Sequence, residues 1–280
     1  MLDNRIYTFI ELCRTMNYRK AAENLNISQP AVTQHIQYLQ MFYQCQLFEY
    51  NGRVLTKTKE AEKLEGYALS AIYNEKQIKK ELVKVQKTIL NIGVTKTIGD
   101  YVIFSVLSKI SNDEKYTLNV TVDNTKQLLD LLNQGKVDIA IIEGSFDKDF
   151  YGYKLFRLED FHGFCSKEHI FANKQIEMSY LWDEKLILRE EGSGTRMILK
   201  QVLETRNYSF DNFKDFITLN SFSLIEDFVS NNQGITFAYD SFGRNNSQLR
   251  PFYIKDYPIK REFNIVYLKN AMVDQLLKYF

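Results

Sequence analysis

Between Arg19 and Gln40 two helical patterns are separated by a turn too short for anything but a sharp reversal. Nothing else in the chain constrains its fold as much. Arg19 to Leu25 reads as a short helix in which Ala21 and Ala22 are small enough for close packing, and Asn26-Ile27 makes the turn. Ser28 is a good N-cap, and Pro30 lies in the first turn of the next helix, where its missing N–H costs nothing. That helix, Gln29 to about Gln40, puts Val32, Ile36 and Leu39 on one face and Gln29, Thr33, Gln34 and Gln37 on the other. Upstream, Leu2, Ile6, Phe9, Ile10 and Cys13 recur at helical spacing and predict a first helix. A short, polar, uncharged face suits the base edges of the major groove. A short helix, a tight turn and a capped second helix match the helix-turn-helix pattern. Leu47-Phe48 then begins a strand-like stretch, Asn51-Gly52 signals a hairpin, and Arg53 stands where a wing meets phosphate or minor groove. A small helical packing module would show the same periodicity.

Charge looks unhelpful until it is divided. The 280 residues carry 36 Lys+Arg and 35 Asp+Glu, a formal net charge of +1. Residues 1–87 hold 13 basic and 9 acidic side chains, and residues 88–280 hold 23 and 26. The basic excess therefore lies where the helix-turn-helix pattern lies, as expected of an end that meets a polyanion. No apolar run approaches the ~20 residues of a membrane helix. Charges scattered through the first 25 residues are unlike a secretory signal, so a cytoplasmic protein without membrane association is expected. Cys13, Cys45 and Cys165 are far apart and form no CxxC, which argues against disulfides or zinc. Only His35, His162 and His169 are available as imidazole ligands, and His35 reads as a surface or packing residue. No metal site and no cofactor is expected.

The segment NYRKAAENLNISQPAVTQHIQYLQMFYQCQLFEYNGRVLTKT resembles the winged helix-turn-helix of LysR-type transcriptional regulators. Ala21-Ala22, Leu25, Ser28-Gln29-Pro30-Ala31-Val32, Ile36, Leu39, Leu47-Phe48 and Leu55-Thr56 carry the likeness. The chain departs from the family pattern at Gln40, where Glu is usual, at Gln44 (Gly), at Tyr50 (Arg) and at Lys59 (Gly). The resemblance implies a partner of double-stranded promoter DNA. Gln29, Pro30, Thr33 and Gln34 fall at base-contacting positions and Arg53 where the wing meets the backbone. Ser28 and Gln37 complete the DNA-facing set. Arg19, Lys20, Arg53, Lys57 and Lys59 are the candidate phosphate contacts, which position a domain without reading sequence.

From about Glu60 to Lys87 there is no Pro and one Gly, Gly66. Leu64, Ala68, Ala71, Glu75, Ile78, Leu82 and Val85 alternate at spacings of four and three, a heptad seam interrupted by Glu75. A solitary surface helix would also carry one apolar stripe. The resemblance implies a helix that links the two domains and pairs copies into a homodimer or homotetramer. Gly66 and Glu75 are expected to permit bending.

From Thr88 strand and helix candidates alternate. The strands are Ile89–Val94, Leu118–Val122, Val137–Ile142, Leu186–Leu188, Phe216–Leu219, Ile235–Tyr239 and Phe263–Leu268, with helices at Lys126–Gln134, Met197–Glu204 and Leu224–Ser230. This points to parallel α/β sheets. NIGVTKTIGDY, DNTKQLLDLLNQGKVDIAIIEG, REEGSGTR and NQGITFAYDS resemble the family's effector-binding domain, itself similar to periplasmic binding proteins. The expected architecture is α/β with an all-α N-terminal part. It comprises a winged helix-turn-helix (1–59), a linker and dimerisation helix (60–87) and an effector domain (88–280). Two Rossmann-like lobes are implied, lobe I at about 88–160 and 265–280 and lobe II at about 161–264.

In open α/β sheets a ligand sits beyond the carboxyl ends of strands, at helix N-termini. Thr95, Thr97 and Ile98 follow the first strand, Asn124 caps a helix, and Gly192, Ser193, Gly194 and Thr195 lead from a strand into a helix. Such ends favour anions, so a small anionic effector is expected. Ordinary caps and turns would use the same residue types. Glu190 and Glu191 would repel an anion or pair with Arg196. TIG with Tyr101, DNT, IIEG and REEGSGTR look like a family branch associated with sulfur metabolism and related anion sensing. No catalytic residue is assigned: GSGTR lacks the P-loop ending, and no GxSxG or Cys/His pair is present. An α/β enzyme or a solute-binding protein acting on a small anion at the same cleft is the alternative. Cys165 reads as a buried strand thiol.

Overall fold

The computed structural model describes residues 2–83 and 87–280. Three helices open the chain: α1 (Asn4–Thr15), α2 (Tyr18–Leu25) and α3 (Gln29–Tyr43). Each begins on a side-chain cap, with Asp3, Asn17 and Ser28 accepting from the backbone N–H of Arg5, Lys20 and Ala31. Each ends on a left-handed residue, Met16, Asn26 or Gln44. At Gln44 the φ of 53° explains the family's preference for glycine there, and a side chain in that region costs about 1 kcal/mol. Phe9, Leu12, Ala21, Val32, Ile36 and Leu47 close one core around Ala22 and Leu39. The third helix runs a turn beyond the expected Gln40. Strands β1 (Phe48–Asn51) and β2 (Val54–Lys57) form the wing, reversing through Gly52 (φ 64°) and Arg53.

Helix α4 (Lys59–Leu82) starts at Thr58, whose hydroxyl accepts from Ala61 N–H. It is shorter than the expected 60–87, because Thr88 already belongs to a strand; Val85 of the heptad seam lies outside the described residues. The helix serves two cores, and the seam residues Leu64 and Ala68 enter the first of them. Ala61 and Ala68, with Leu64 beside them, complete the helix-turn-helix core, while Leu69 and Tyr73 enter the core of the C-terminal domain. Ile78 and Leu82 stay exposed. Gly66 interrupts nothing: the helix runs through it, and a Cβ there would meet the ring of Phe150 at 3.5 Å, an ordinary packing distance.

Lobe I is built from β3 (Thr88–Val94), α5 (Lys96–Tyr101), α6 (Phe104–Ser111), β4 (Tyr116–Val122), α7 (Thr125–Asn133) and β5 (Ile139–Ile142). A long strand, β6 (Tyr151–Ser166), carries the chain into lobe II. There β7 (Gln175–Ile176), β8 (Lys185–Arg189), α8 (Gly194–Glu204), β9 (Asp215–Leu219), α9 (Phe222–Ser230), β10 (Thr236–Tyr239), α10 (Asp240–Gly243) and β11 (Leu249–Ile254) follow. Strand β12 (Ile259–Leu268) returns to lobe I, where α11 (Asp274–Leu277) ends the fold.

The sheets are mixed rather than parallel throughout. Pairs β3–β4, β3–β5 and β8–β9 are parallel, but β6 and β12 run antiparallel to each other from Tyr151↔Leu268 to Phe161↔Ile259. These two strands join the lobes into one eight-stranded sheet, with β10 and β11 paired to the far half of β6. Strand β11 has no counterpart in the sequence reading, and of β6 only the strand thiol Cys165 near its end does. Gly152, Asp160 and Gly163 interrupt the apolar texture of β6, and Pro251 falls within β11.

Candidate functional site: the DNA-reading face and the interlobe cleft

The face of α3 opposite Val32 and Ile36 is open. Ser28, Gln29, Pro30, Gln34 and Gln37 are exposed and Thr33 is half-buried. Gln29 Nε2 donates to Thr33 Oγ1 at 3.0 Å, and that hydroxyl donates to the Gln29 carbonyl at 3.2 Å, so the two share one orientation at the start of the helix. Arg19, Gln29 and Arg53 line one surface depression with Tyr18 and Tyr50, which brings helix α2, the reading helix and the wing together. Arg19 is paired with Glu23 at 3.1 Å on an exposed surface, a contact weak enough to be exchanged for phosphate. Lys20 and Arg53 are exposed. Lys57 is corrected: it pairs with Glu65 of α4 at 2.6 Å and buttresses the wing instead of facing outward. His35 Nδ1 lies 2.9 Å from the Thr8 hydroxyl, a packing role.

The effector candidates separate into those that converge and those that do not. Thr95 and Thr97 follow β3, both almost fully buried. Their hydroxyls donate to the two oxygens of Glu143, at 2.6 Å to Oε2 and 3.0 Å to Oε1. Glu143 directly follows β5, and a Cβ on Gly194 would lie 3.6 Å from its side chain. The start of α8 therefore closes over this carboxylate from lobe II. Ser193 caps α8 by accepting from Arg196 N–H, and the Thr195 hydroxyl is buried without a partner. Ile98 is fully buried in the lobe I core, so its side chain is withdrawn from any ligand. Asn124 accepts from Gln127 N–H at 3.0 Å as an exposed cap and Gly192 is an exposed turn residue at φ 84°; like Thr95, Thr97, Ser193 and Thr195, neither lines the cavity that opens between Glu143 and Gly194.

Two latches cross the cleft, and two arginines are tied within lobe II. Tyr101 OH donates to Glu226 of α9 at 2.5 Å, and Lys96 donates to the Asn220 carbonyl. Arg189 pairs with Glu190 through two bonds of 2.7 and 2.8 Å, its guanidinium 4.1 Å above the Phe222 ring. Arg196 lies 3.7 Å from Glu191 and donates to the Arg189 carbonyl. Burial pushes the Glu143 carboxyl up from its ordinary value, against the threonine hydrogen bonds and the Arg189 charge. Sequence reasoning quoted IIEG but passed over Glu143. The motif's position beyond a strand end was the available signal.

The linker helix is bonded to lobe I. Asp138, just before β5, accepts from Tyr73 OH at 3.0 Å, Gln77 Nε2 at 3.1 Å and Asn91 N–H at 2.7 Å. Asn74 donates to the Asn270 carbonyl and accepts from Met272 N–H, and Ser70 donates to the Lys269 carbonyl.

Two family models cover this architecture. Residues 4–62 match the bacterial regulatory helix-turn-helix protein, lysR family, and residues 85–280 match the LysR substrate binding domain. The chain belongs to the LysR family. It is 28% identical over 277 residues to the HTH-type transcriptional regulator CysL of Bacillus subtilis, covering 97% of this chain and 88% of that one. A cysteine mutant of OxyR from Corynebacterium glutamicum shares the fold at 22% identity, with a TM-score of 0.60 over 99% of this chain and 88% of the other. Full-length BenM does so at 16%, with a TM-score of 0.57 over 100% of this chain and 94% of the other. The regulatory domain of CcmR from Synechocystis, solved in complex with 2-PG, is 22% identical with a TM-score of 0.60, over 68% of this chain and 94% of that one. This LysR-family chain is thus a DNA-binding transcriptional regulator with an effector-binding domain, and it is not an enzyme. Among the described residues no helix is long and apolar enough to cross a membrane, and no metal-binding cluster of His, Cys, Asp or Glu occurs. Cys165 is buried, its Sγ 3.6 Å from the Arg250 carbonyl, and burial pushes its thiol up to about 12. A thiol so held is not a reactive thiolate.

Proposed function

We propose that this regulator works in the cytoplasm as a homodimer or homotetramer on promoter DNA, and that a small molecule bound between its lobes sets its activity. Gln29, Thr33 and Gln34 read base edges, with Pro30 and Gln37 beside them; Arg19, Lys20, Arg53 and the backbone at Ser28 position the domain on phosphates. The effector occupies the cleft beside Glu143 and Gly194, with Thr95 and Thr97 holding that carboxylate from behind and Ser193 and Thr195 flanking Gly194 at the start of α8.

One observation carries this reading. The short strand β5 has the linker helix bonded at its start, through Asp138, and the cleft carboxylate Glu143 at its end. A ligand that moves Glu143 pulls on a strand whose other end grips Tyr73 and Gln77. Such coupling needs only that the ligand bind two lobe arrangements with different affinity. A DNA-binding titration of the full chain with fragments flanking its own gene, with and without candidate effectors, tests the proposal. Saturable binding above the non-specific level supports it, and identical affinity for every fragment sinks it. TIG with Tyr101, DNT, IIEG and REEGSGTR look like the family branch associated with sulfur metabolism, which makes sulfur metabolites the first candidates to screen.

A further inference from the structure

The cavity beside Glu143, about 420 Å³, is within the usual range for a small-ligand site. It runs from Glu143 and Gly194 along α8 to Lys260, Arg261 and Asn264 of β12. Two of its charges are unbalanced. Among the described residues Glu143 is held by two neutral hydroxyls and is ion-paired with no cation. Arg261 donates to the Lys260 carbonyl at 3.3 Å but has no carboxylate partner among the described residues. The other lining charges are matched: Lys148 with Glu262 at 3.2 Å, Lys260 with Asp160 at 3.6 Å. Glu143 and Arg261 therefore face one space, opposite in sign and not in contact with each other.

One buried polar atom in the wall of this space lacks a partner. Asn264 sits opposite Ile142 in the β5–β12 ladder, one residue before Glu143. Its Nδ2 donates to Glu262 at 3.3 Å, which fixes the amide orientation and leaves Oδ1 as a buried acceptor without a donor. Buried groups left unsatisfied call for a missing partner. Here an acceptor pair, Glu143 and Asn264 Oδ1, calls for a donor at one end, and Arg261 calls for an anion at the other.

We infer that the effector is a zwitterion, a small amino acid or amino-acid-like compound whose ammonium meets Glu143 and whose anionic group meets Arg261. The inference rests on the cleft being the effector site. It also reconciles the anion-favouring start of α8 with a carboxylate already lodged on the threonines: a simple anion would have to displace Glu143, whereas a zwitterion uses it.

The test is calorimetric titration of the full-length protein with L-amino acids. The tightest binder is compared with its deaminated carboxylate and its decarboxylated amine. The amino acid should bind at least roughly tenfold more tightly than either analogue, since each lost charge-assisted contact is worth about that factor. Glu143→Gln should remove the advantage over the carboxylate, and Arg261→Gln the advantage over the amine, with circular dichroism confirming that both variants fold. Three results overturn the zwitterion: no amino acid binds, the carboxylate alone binds as well, or Glu143→Gln leaves the preference intact. A carboxylate that binds the native chain and weakens in Thr95→Val overturns the zwitterion but keeps the cleft. An amino acid whose affinity survives both charge substitutions overturns the cleft as well.

Discussion

The DNA-reading face and the cleft hold similar polar side chains in opposite conditions. Gln29, Gln34 and Gln37 stand in water on a helix fixed by its own cap, while Thr95, Thr97 and Thr195 are each below 5% exposed. The reader is finished before DNA arrives, and DNA displaces only solvent and weak surface pairs such as Arg19–Glu23. The sensor is already engaged with itself, through Glu143 and the latches Tyr101–Glu226 and Lys96–Asn220. In the proposed reading a ligand there meets groups already bonded within the protein, so its binding is coupled to those internal bonds. That difference is what suits one end to recognition and the other to switching.

The largest expected effect breaks the connection between the two. Asp138→Ala removes a buried acceptor used by Tyr73, Gln77 and Asn91, and should cost on the order of 3 kcal/mol of stability. Chemical denaturation measures this, and any effector response of DNA binding should fall with it; an unchanged midpoint would show the linker anchored elsewhere. Next, Gln34→Ala should weaken specific DNA binding by about 1–3 kcal/mol with non-specific binding unaltered. Equal losses on specific and random fragments would remove Gln34 from base reading.

Glu143→Gln comes third. The native carboxyl is raised by burial, so its contribution is present below the ordinary unfolded value of about 4.3 and is lost as pH climbs through the folded value. The amide avoids that loss. The variant's thermal midpoint should exceed the native one at pH 7, and the gap should close toward pH 4. A variant less stable at pH 7 would show that the ionised carboxylate is well compensated. Smallest is Arg53→Gln, expected to weaken binding alike on all sequences and to lower the salt slope by about 1. A change in sequence preference would instead place Arg53 on bases.

Legibility followed the range of the interactions. The helix-turn-helix was readable because Asn17, Ser28 and Thr58 act on N–H groups three residues away, and the apolar face repeats within one helix. The cleft was half readable. Thr95, Ser193 and Gly194 stand at strand-to-helix junctions, which local pattern reveals. Glu143 did not stand out, because its partners lie 46 and 48 residues away. Lys57 looked like a free wing cation until Glu65 was placed beside it. The heptad stripe of α4 predicted one seam, but residues on neighbouring faces serve two cores in the same chain.

The sequence by itself determined the elements whose stabilising contacts are local: three capped helices, the wing, the long linker and the alternating strands of each lobe. It also determined which end carries the positive charge. Only the tertiary structure decided that β6 and β12 join the lobes as antiparallel strands, that Asp138 ties the linker to lobe I, and that a carboxylate sits where an anion was expected. Those outcomes depend on groups brought together from distant parts of the chain, where burial sets the strength of a hydrogen bond and the cost of a charge.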